Sequence, residues 1–462
     1  MNDIKSVGLI ISTTLLFGCT GPSRLDYALS SAGSNRSELE TVLEHYRTVN
    51  TNPQKLRAAE FLIENLPAHY SYAGPEIYGY YDYAACILAD TTLTPEQQRD
   101  SLLAATDNRY ADLPNHTVPD AQIITADFLI DNIDKSYAQW TTCPWASQVT
   151  FDEYLEWMLP YKAVELQELD AWRDSVLNHF NYGYTHPIKN DVEYNTTMGV
   201  ADMLRNECQE KMHRYGLYDR AGLPLLSAYL LPRQTFGDIP DYALVATLLM
   251  RSAGIPAVLD ETPVGSRGTA AVRWYVTIDD RGMEQPSEWD LSTMIGGGFF
   301  PYERGPKVYR NTYAINPERW EYRQEAKYQY PFDLGKKDMT SQYFLTSDLK
   351  LPVERSVRRQ IRDKYVYIAS AVRIGNQNAG RNSNVHPEPE GWQIVDFGMM
   401  KHGKACFHDM GREVLYMAMG YDGEKLMPIT APFILQKDGT IEYIQADSMQ
   451  SASLDRWKNN AL

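Results

Sequence analysis

An α+β fold of several domains is predicted by three observations along the 462 residues. Helical apolar periodicity dominates residues 20–135. A loop, a continuously apolar helix and an apolar strand follow one another between Gln234 and Asp290. Beyond Gly296 the pattern changes to short β-rich runs.

In the first stretch, Asn35 precedes Leu39, Val42, Leu43 and Tyr46, a stripe at helical spacing with Glu38 at the capping-box position. Asn52-Pro53 opens a second helix with Leu56, Ala59, Ile63 and Leu66 on one face, and Pro67 marks its end. Thr94-Pro95-Glu96-Gln97 is another start. The tyrosines between Tyr78 and Tyr83 read as a packed helix or a loop under an aromatic cluster, not as a ligand site. Thr150-Phe151-Asp152-Glu153 forms a further capping box, for a helix that Pro160 ends or kinks. A longer helix is expected over residues 163–180.

The middle block is the most informative. Gly237-Asp238-Ile239-Pro240-Asp241 leads into the apolar run 242–250, with Arg251 near its end and Gly254 as a helix stop. Asp238 can cap this helix, and Pro240 sits in its first turn. Ile255-Pro256-Ala257-Val258-Leu259 reads as a buried strand, and residues 271–278 as another.

Gly237-Asp238, Ala243, Arg251 and Gly254-Ile255-Pro256 together resemble the core of the transglutaminase-like superfamily, a branch of the papain-like cysteine enzymes. The likeness covers roughly 60 positions, an extent ordinary for one supersecondary block of a domain. Leu159-Pro160-Tyr161, Glu165 and the Pro432–Leu435 ending with its Asp438-Gly439 turn are similar, more loosely, to bacterial lipoproteins bearing this domain. The resemblance implies a Cys at the helix start, where orphan N–H groups and the helix dipole stabilise a thiolate. It also implies a His on a facing strand to take the proton, and an Asp to orient that His. Here the Cys position is Ile239, the His position is Val272 in Val272-Arg273-Trp274, and the Asp position falls at Asp290 after Trp289. The resemblance therefore implies a degenerate site with no catalytic residue. Asp238, Asp241, Trp274 and Trp289 are the candidates to line what remains of the cleft.

Short β-rich runs at 366–371, 414–419, 433–436 and 441–444 predict a β-rich C-terminal domain, with Lys437-Asp438-Gly439-Thr440 as a hairpin turn. Residues 376–391 read as a long polar loop. The expected divisions are 1–19, 20–135, 136–298 and 299–462.

The N-terminus carries a separate signal. Lys5, an apolar run over 7–18 and Leu16-Phe17-Gly18-Cys19 describe a secretory leader and resemble the lipobox of bacterial lipoproteins. In that family the Cys, here Cys19, is acylated. A lipid anchor in the cell envelope is implied, on the periplasmic or the surface face of the outer membrane. A net charge of −16 argues against nucleic acid as a partner.

Cys86, Cys143, Cys208 and Cys406 are spaced without a disulfide framework or a CxxC pair, so buried free thiols are expected. Cys208 with His213, and Cys406 with His408 and His402, lack the placement for a nucleophile or a metal site. No cofactor and no metal are implied. The expected function is a lipid-anchored, non-catalytic binding or scaffold protein for a peptide or glycan. The alternatives are an amide-cleaving or cross-linking enzyme with relocated residues, or a glycan binder using the 32 tyrosines.

Overall fold

The computed structural model describes residues 23–110, 116–180, 196–211, 223–237, 239–265, 271–287, 304–372 and 391–444. The fold is α+β with a β-rich C-terminal half. In chain order the helices ahead of the C-terminal half are α1 (Arg24–Ser31), α2 (Arg36–Glu44), α3 (Pro53–Asn65), α4 (Pro75–Ala89), α5 (Pro95–Asn108), α6 (Ala126–Thr142), α7 (Phe151–Trp157), α8 (Trp172–His179), α9 (Thr197–Lys211) and α10 (Ile239–Ser252), and further helices at Pro317–Glu325, Thr340–Tyr343 and Arg355–Arg358 follow. A short ribbon pairs β1 (Tyr70–Tyr72) with β2 (Thr117–Pro119).

Local chemistry sets most helix starts. Asn52 accepts from the N–H groups of Gln54 and Lys55 ahead of Pro53, and Thr94 and Thr150 form complete capping boxes with Gln97 and Glu153. The Asn35–Glu38 box does not form. The Asn35 amide donates instead to the carbonyls of Ala121 and Ile124, and Glu38 accepts from the N–H of Ala126, capping α6 rather than α2. The helix expected over 163–180 is confined to α8. Ahead of it, Ala163 N–H donates to the Gln167 side chain, Gln167 donates back to the Tyr161 carbonyl, and Leu166 sits at φ 65°. Side-chain bonds thus replace the main-chain ladder of a helix there.

A five-stranded antiparallel sheet forms the middle of the molecule, in the order β5 (Glu284–Pro286), β4 (Val272–Ile278), β3 (Ala257–Thr262), β6 (Tyr309–Asn311), β7 (Lys336–Asp338). Both faces are covered. On one face, Ala257, Leu259 and Tyr275 pack with α10, α4, α8 and α9. On the other, Val258, Val272, Trp274, Val276 and Ile278 pack with α1–α3, α6 and α7. The N-terminal helices therefore share their cores with the sheet instead of closing one of their own. Two strands of the sheet come from beyond residue 299.

Described α10 residues from Asp241 to Ser252 are buried all round, as a helix apolar on every side must be. Thr247 and Ser252 satisfy their hydroxyls on carbonyls within the helix. Gly254, at φ +81°, stops it, and the N–H of Ile255 returns to the carbonyl of Met250. The strand that follows begins at Ala257, two residues later than the sequence suggests.

The C-terminal sheet has the order β15 (Ile441–Tyr443), β14 (Phe433–Leu435), β12 (Val414–Tyr421), β9 (Tyr365–Ala371), β10 (Trp392–Lys401), β11 (Lys404–Gly411), β8 (Thr346–Pro352), with β13 (Leu426–Pro428) beside β12. The predicted β14–β15 hairpin forms, with Gly439 at φ +86°. A buried Lys307 joins the two sheets: its ammonium pairs with Asp338 on β7, lies 3.1 Å from Asp396 on β10 and donates to the His408 carbonyl.

A Cβ at Gly254 would lie 2.8 Å from Cys143 Sγ, and the left-handed backbone disfavours any side chain. Gly254→Ala is expected to lower the unfolding free energy by about 1–3 kcal/mol. Adding Cys143→Ala should recover only the steric part, as read by urea denaturation.

Candidate functional site

The described residues from Ile239 to Ile278 assemble as helix, turn and two strands, with Ile239 as the first residue of α10. Asp238, Trp289 and Asp290 lie outside the described residues, as do the Cys19 leader and the 376–390 loop. Asp241 is buried in the first turn of α10.

The structure does not bring the other positions together. Val272, 7% exposed, and Trp274, fully buried, point to the sheet face that meets the N-terminal helices. The helix α10 covers the opposite face. A base at position 272 would face away from the helix start, so positions 239 and 272 do not form one site. Trp274 lines no cleft either. Its indole N–H donates to Tyr343 Oη at 3.1 Å, and that hydroxyl donates to Asp260 at 2.6 Å. Asp260 in turn takes a two-pronged bond from Arg310 at 2.8 and 2.9 Å, and Arg310 also holds Glu284. This chain of fully partnered groups is a structural network.

A second polar cluster, which the sequence pattern did not reveal as such, lies between the β1–β2 ribbon and the segment after α7. Lys162 Nζ sits 2.5 Å from Asp120 Oδ2 and donates to Ser71 Oγ at 3.0 Å and the Tyr70 carbonyl at 2.9 Å. Ser71 and Tyr161 donate to the two Asp120 oxygens at 2.6 and 2.7 Å. A Ser, a Lys and an Asp in contact have the composition of a catalytic set. However, Ser71 and Asp120 are wholly buried and Lys162 is 4% exposed, so no substrate carbonyl can reach the hydroxyl.

Beside it, His69 places Nδ1 2.7 Å from Glu165 and Nε2 2.9 Å from the Tyr313 carbonyl, with its ring stacked on Tyr313. Both ring nitrogens thus face an oxygen acceptor. Burial alone would raise the Glu165 pKa, but the charges of His69 and Lys162 and the Tyr70 N–H hold it at about 2. The cavity lined by His69, Lys162, Glu165 and Arg251 is about 20 Å³, room for roughly one water. The cluster is a clamp, not a reaction chamber.

A third group is the carboxyl pair Glu168 and Asp170. Burial pushes both to about 7, and the charge of Asp170 adds to the effect on Glu168. Asp170 Oδ2 accepts from the N–H of Tyr229, while its other oxygen has no partner among the described residues.

The four described cysteines are free thiols. Cys208 is buried inside α9, Cys143 is half-buried with its thiol pushed up to about 11 by burial, and Cys86, against expectation, is exposed. On β11, Cys406 is half-buried, and His408 is largely exposed and lies 3.3 Å from Asp348. Among the described residues no group of three or more His, Cys, Asp or Glu is arranged to hold a metal ion, and no helix is long and apolar enough to cross a membrane. Most described aromatics are core residues; Tyr27, Tyr78, Tyr229 and Tyr443 are 45–48% exposed and sit on separate elements, so no flat aromatic platform emerges from them.

No protein-family model, no curated protein and no solved structure matches the chain.

Lys162→Met leaves Asp120 buried without its counter-charge, and a loss of about 3–5 kcal/mol is expected in denaturant titration. The carboxyl groups give opposite pH dependence. Glu165, with its folded pKa below the ordinary 4.5, contributes stability that is complete above that value and is lost as pH falls toward 2. Asp170, raised from 3.8 to about 7, contributes stability that is complete below pH 3.8 and is lost as pH rises through 7. Thermal melts from pH 3 to pH 8 should therefore show a shallower acid limb in Glu165→Gln. The decline between about pH 4 and 7 should be smaller in Asp170→Asn.

Proposed function

We propose that the chain is a lipid-anchored, non-catalytic protein of the cell envelope. In this reading a transglutaminase-like core, with its helical N-terminal region and β-rich C-terminal domain, serves as a binding module or scaffold for a peptide or glycan. The observation that carries the reading is the pairing of two facts. The residue at the start of the buried helix is Ile239, and position 272 is an apolar residue on the far face of the sheet. A thiolate mechanism needs a nucleophile and a base within hydrogen-bond reach of each other. An isoleucine and a valine on opposite sides of a sheet offer neither the groups nor the reach. The Ser71–Asp120–Lys162 and His69–Glu165 groups are committed to one another or to backbone.

The lipid anchor rests on the Leu16-Phe17-Gly18-Cys19 run. Cys19→Ala is expected to abolish acyl-chain incorporation and release the chain from membranes, as read by mass spectrometry and fractionation. Ile239→Cys combined with Val272→His is expected to give a thiol that alkylates at an ordinary rate and cleaves no amide. A rapid, low-pH alkylation accompanied by amide hydrolysis would overturn the non-catalytic reading.

A further inference from the structure

A cavity of about 380 Å³ opens at the seam between the two sheets, within the size range of small-molecule sites. Arg304 and Glu413 line it from two chain segments, with Phe344 and Leu345 as an apolar wall and Tyr343 and Arg412 between. Neither the Arg304 nor the Glu413 side chain makes a hydrogen bond or ion pair among the described residues. Two opposite charges thus share one cavity without neutralising each other.

Glu413 is also out of place conformationally. It occupies the second position of the tight turn between β11 and β12 at φ 59°, a left-handed position that disfavours side chains. The chain uses glycine for such a position at Gly403 and Gly439, and His402 and Asp409 adopt it as well. A charged side chain kept at a disfavoured position, next to a cavity, is a local rule broken where a ligand would reward it.

The frame around the cavity is fixed. A Cβ on Gly305 would lie 2.7 Å from Phe344 Cε2, and one on Gly411 would strike the Gly305 carbonyl, so these segments lie in direct contact. Arg412 donates to the Thr346 carbonyl, Ser347 Oγ and the Lys437 carbonyl, each at 2.9 Å. Its N–H bonds the Leu345 carbonyl. The 64% exposed Leu345 stays on the rim.

We propose that this cavity binds a small zwitterion with an apolar side chain, either a free α-amino acid or a dipeptide. Arg304 takes the carboxylate with its planar fork, Glu413 takes the ammonium group, and Phe344 and Leu345 cover the side chain. The inference does not depend on whether the α10 block is catalytic.

Equilibrium dialysis of the full chain with labelled L-leucine and with Leu-Leu tests it. One of the two should bind saturably below about 1 mM, and the tighter one identifies the source. Leucinamide and N-acetyl-leucine, or the matching capped dipeptides, each lose one charge and should bind about tenfold more weakly or less. Arg304→Gln should remove the preference for the acid over the amide, and Glu413→Gln the preference for the free amine over the acetylated form. Absence of saturable binding by both probes up to about 10 mM would overturn the proposal. So would binding that ignores the capping of the wild-type ligand, a comparison that needs no variant to fold. Unchanged affinity in both folded variants would overturn it as well.

Discussion

The guanidinium of Arg251 is the constraint on which the middle of the molecule depends. It lies at the end of α10, only 2% exposed, and donates to the carbonyls of Ala257 and Lys162 at 2.8 and 2.9 Å. One side chain therefore ties the central helix to the first residue of β3 and to the turn that carries Lys162. Arg173 on α8 does the same from the other side. It reaches the carbonyls of Met158, Leu159 and Pro160, and the Arg251 carbonyl itself. Burial lowers both pKa values, Arg251 to about 9 and Arg173 to about 10, and for Arg251 the charge of Arg173 adds to the effect. Several rigid donors directed at carbonyls can satisfy a buried guanidinium where a single ammonium group could not reach as many strands.

With that turn fixed, the two polar clusters follow. Lys162 is held where its ammonium meets Asp120, and Glu165 where it meets His69. The β1–β2 ribbon, the segment after α7 and the bend at Tyr313 beyond β6 become one unit through side chains whose isolated burial would be costly. Paired and hydrogen-bonded, these charges fix a unique arrangement more than they add net stability. The same commitment removes them from chemistry, because a group with all its donors and acceptors spent on protein has nothing left for a substrate.

How much of this was legible in the sequence depends on how far apart the partners lie. Asn52, Thr94 and Thr150 were readable as caps because a cap meets N–H groups two or three residues ahead. Asn35 and Glu38 were misread because their partners are Ala121, Ile124 and Ala126, far along the chain. The helix α10, its glycine stop and the strands after it were legible from continuous apolar runs. Which face of β4 carried Val272 was not. A strand buried on both sides shows no alternation to read, and only the helices packed on each face settle it. Arg251 was visible as a residue of the block, but its role as a clamp needed the carbonyls of residues far away in sequence. Of the Ser71–Asp120–Lys162 set, nothing in the local pattern pointed to a shared location.

Rigidity also decides where binding can occur. The sheet carrying β3 and β4 is covered by helices on both faces, and the cavity lined by His69, Lys162, Glu165 and Arg251 has room for about one water. At the seam with the C-terminal sheet, Lys307 bridges Asp338 and Asp396, and the Tyr309 hydroxyl donates to the Val395 carbonyl at 2.8 Å. A buried cation between two carboxylates from different sheets resists their sliding, since separating them would strand a charge. The cavity beside this seam is therefore preformed, and a ligand entering it does not have to supply the free energy of ordering its walls. Tyr343 reaches from that cavity to Asp260, and through Asp260 to Arg310 and Glu284. The clamped core thus contributes stiffness to a region of the described surface where unspent charges face a ligand-sized space.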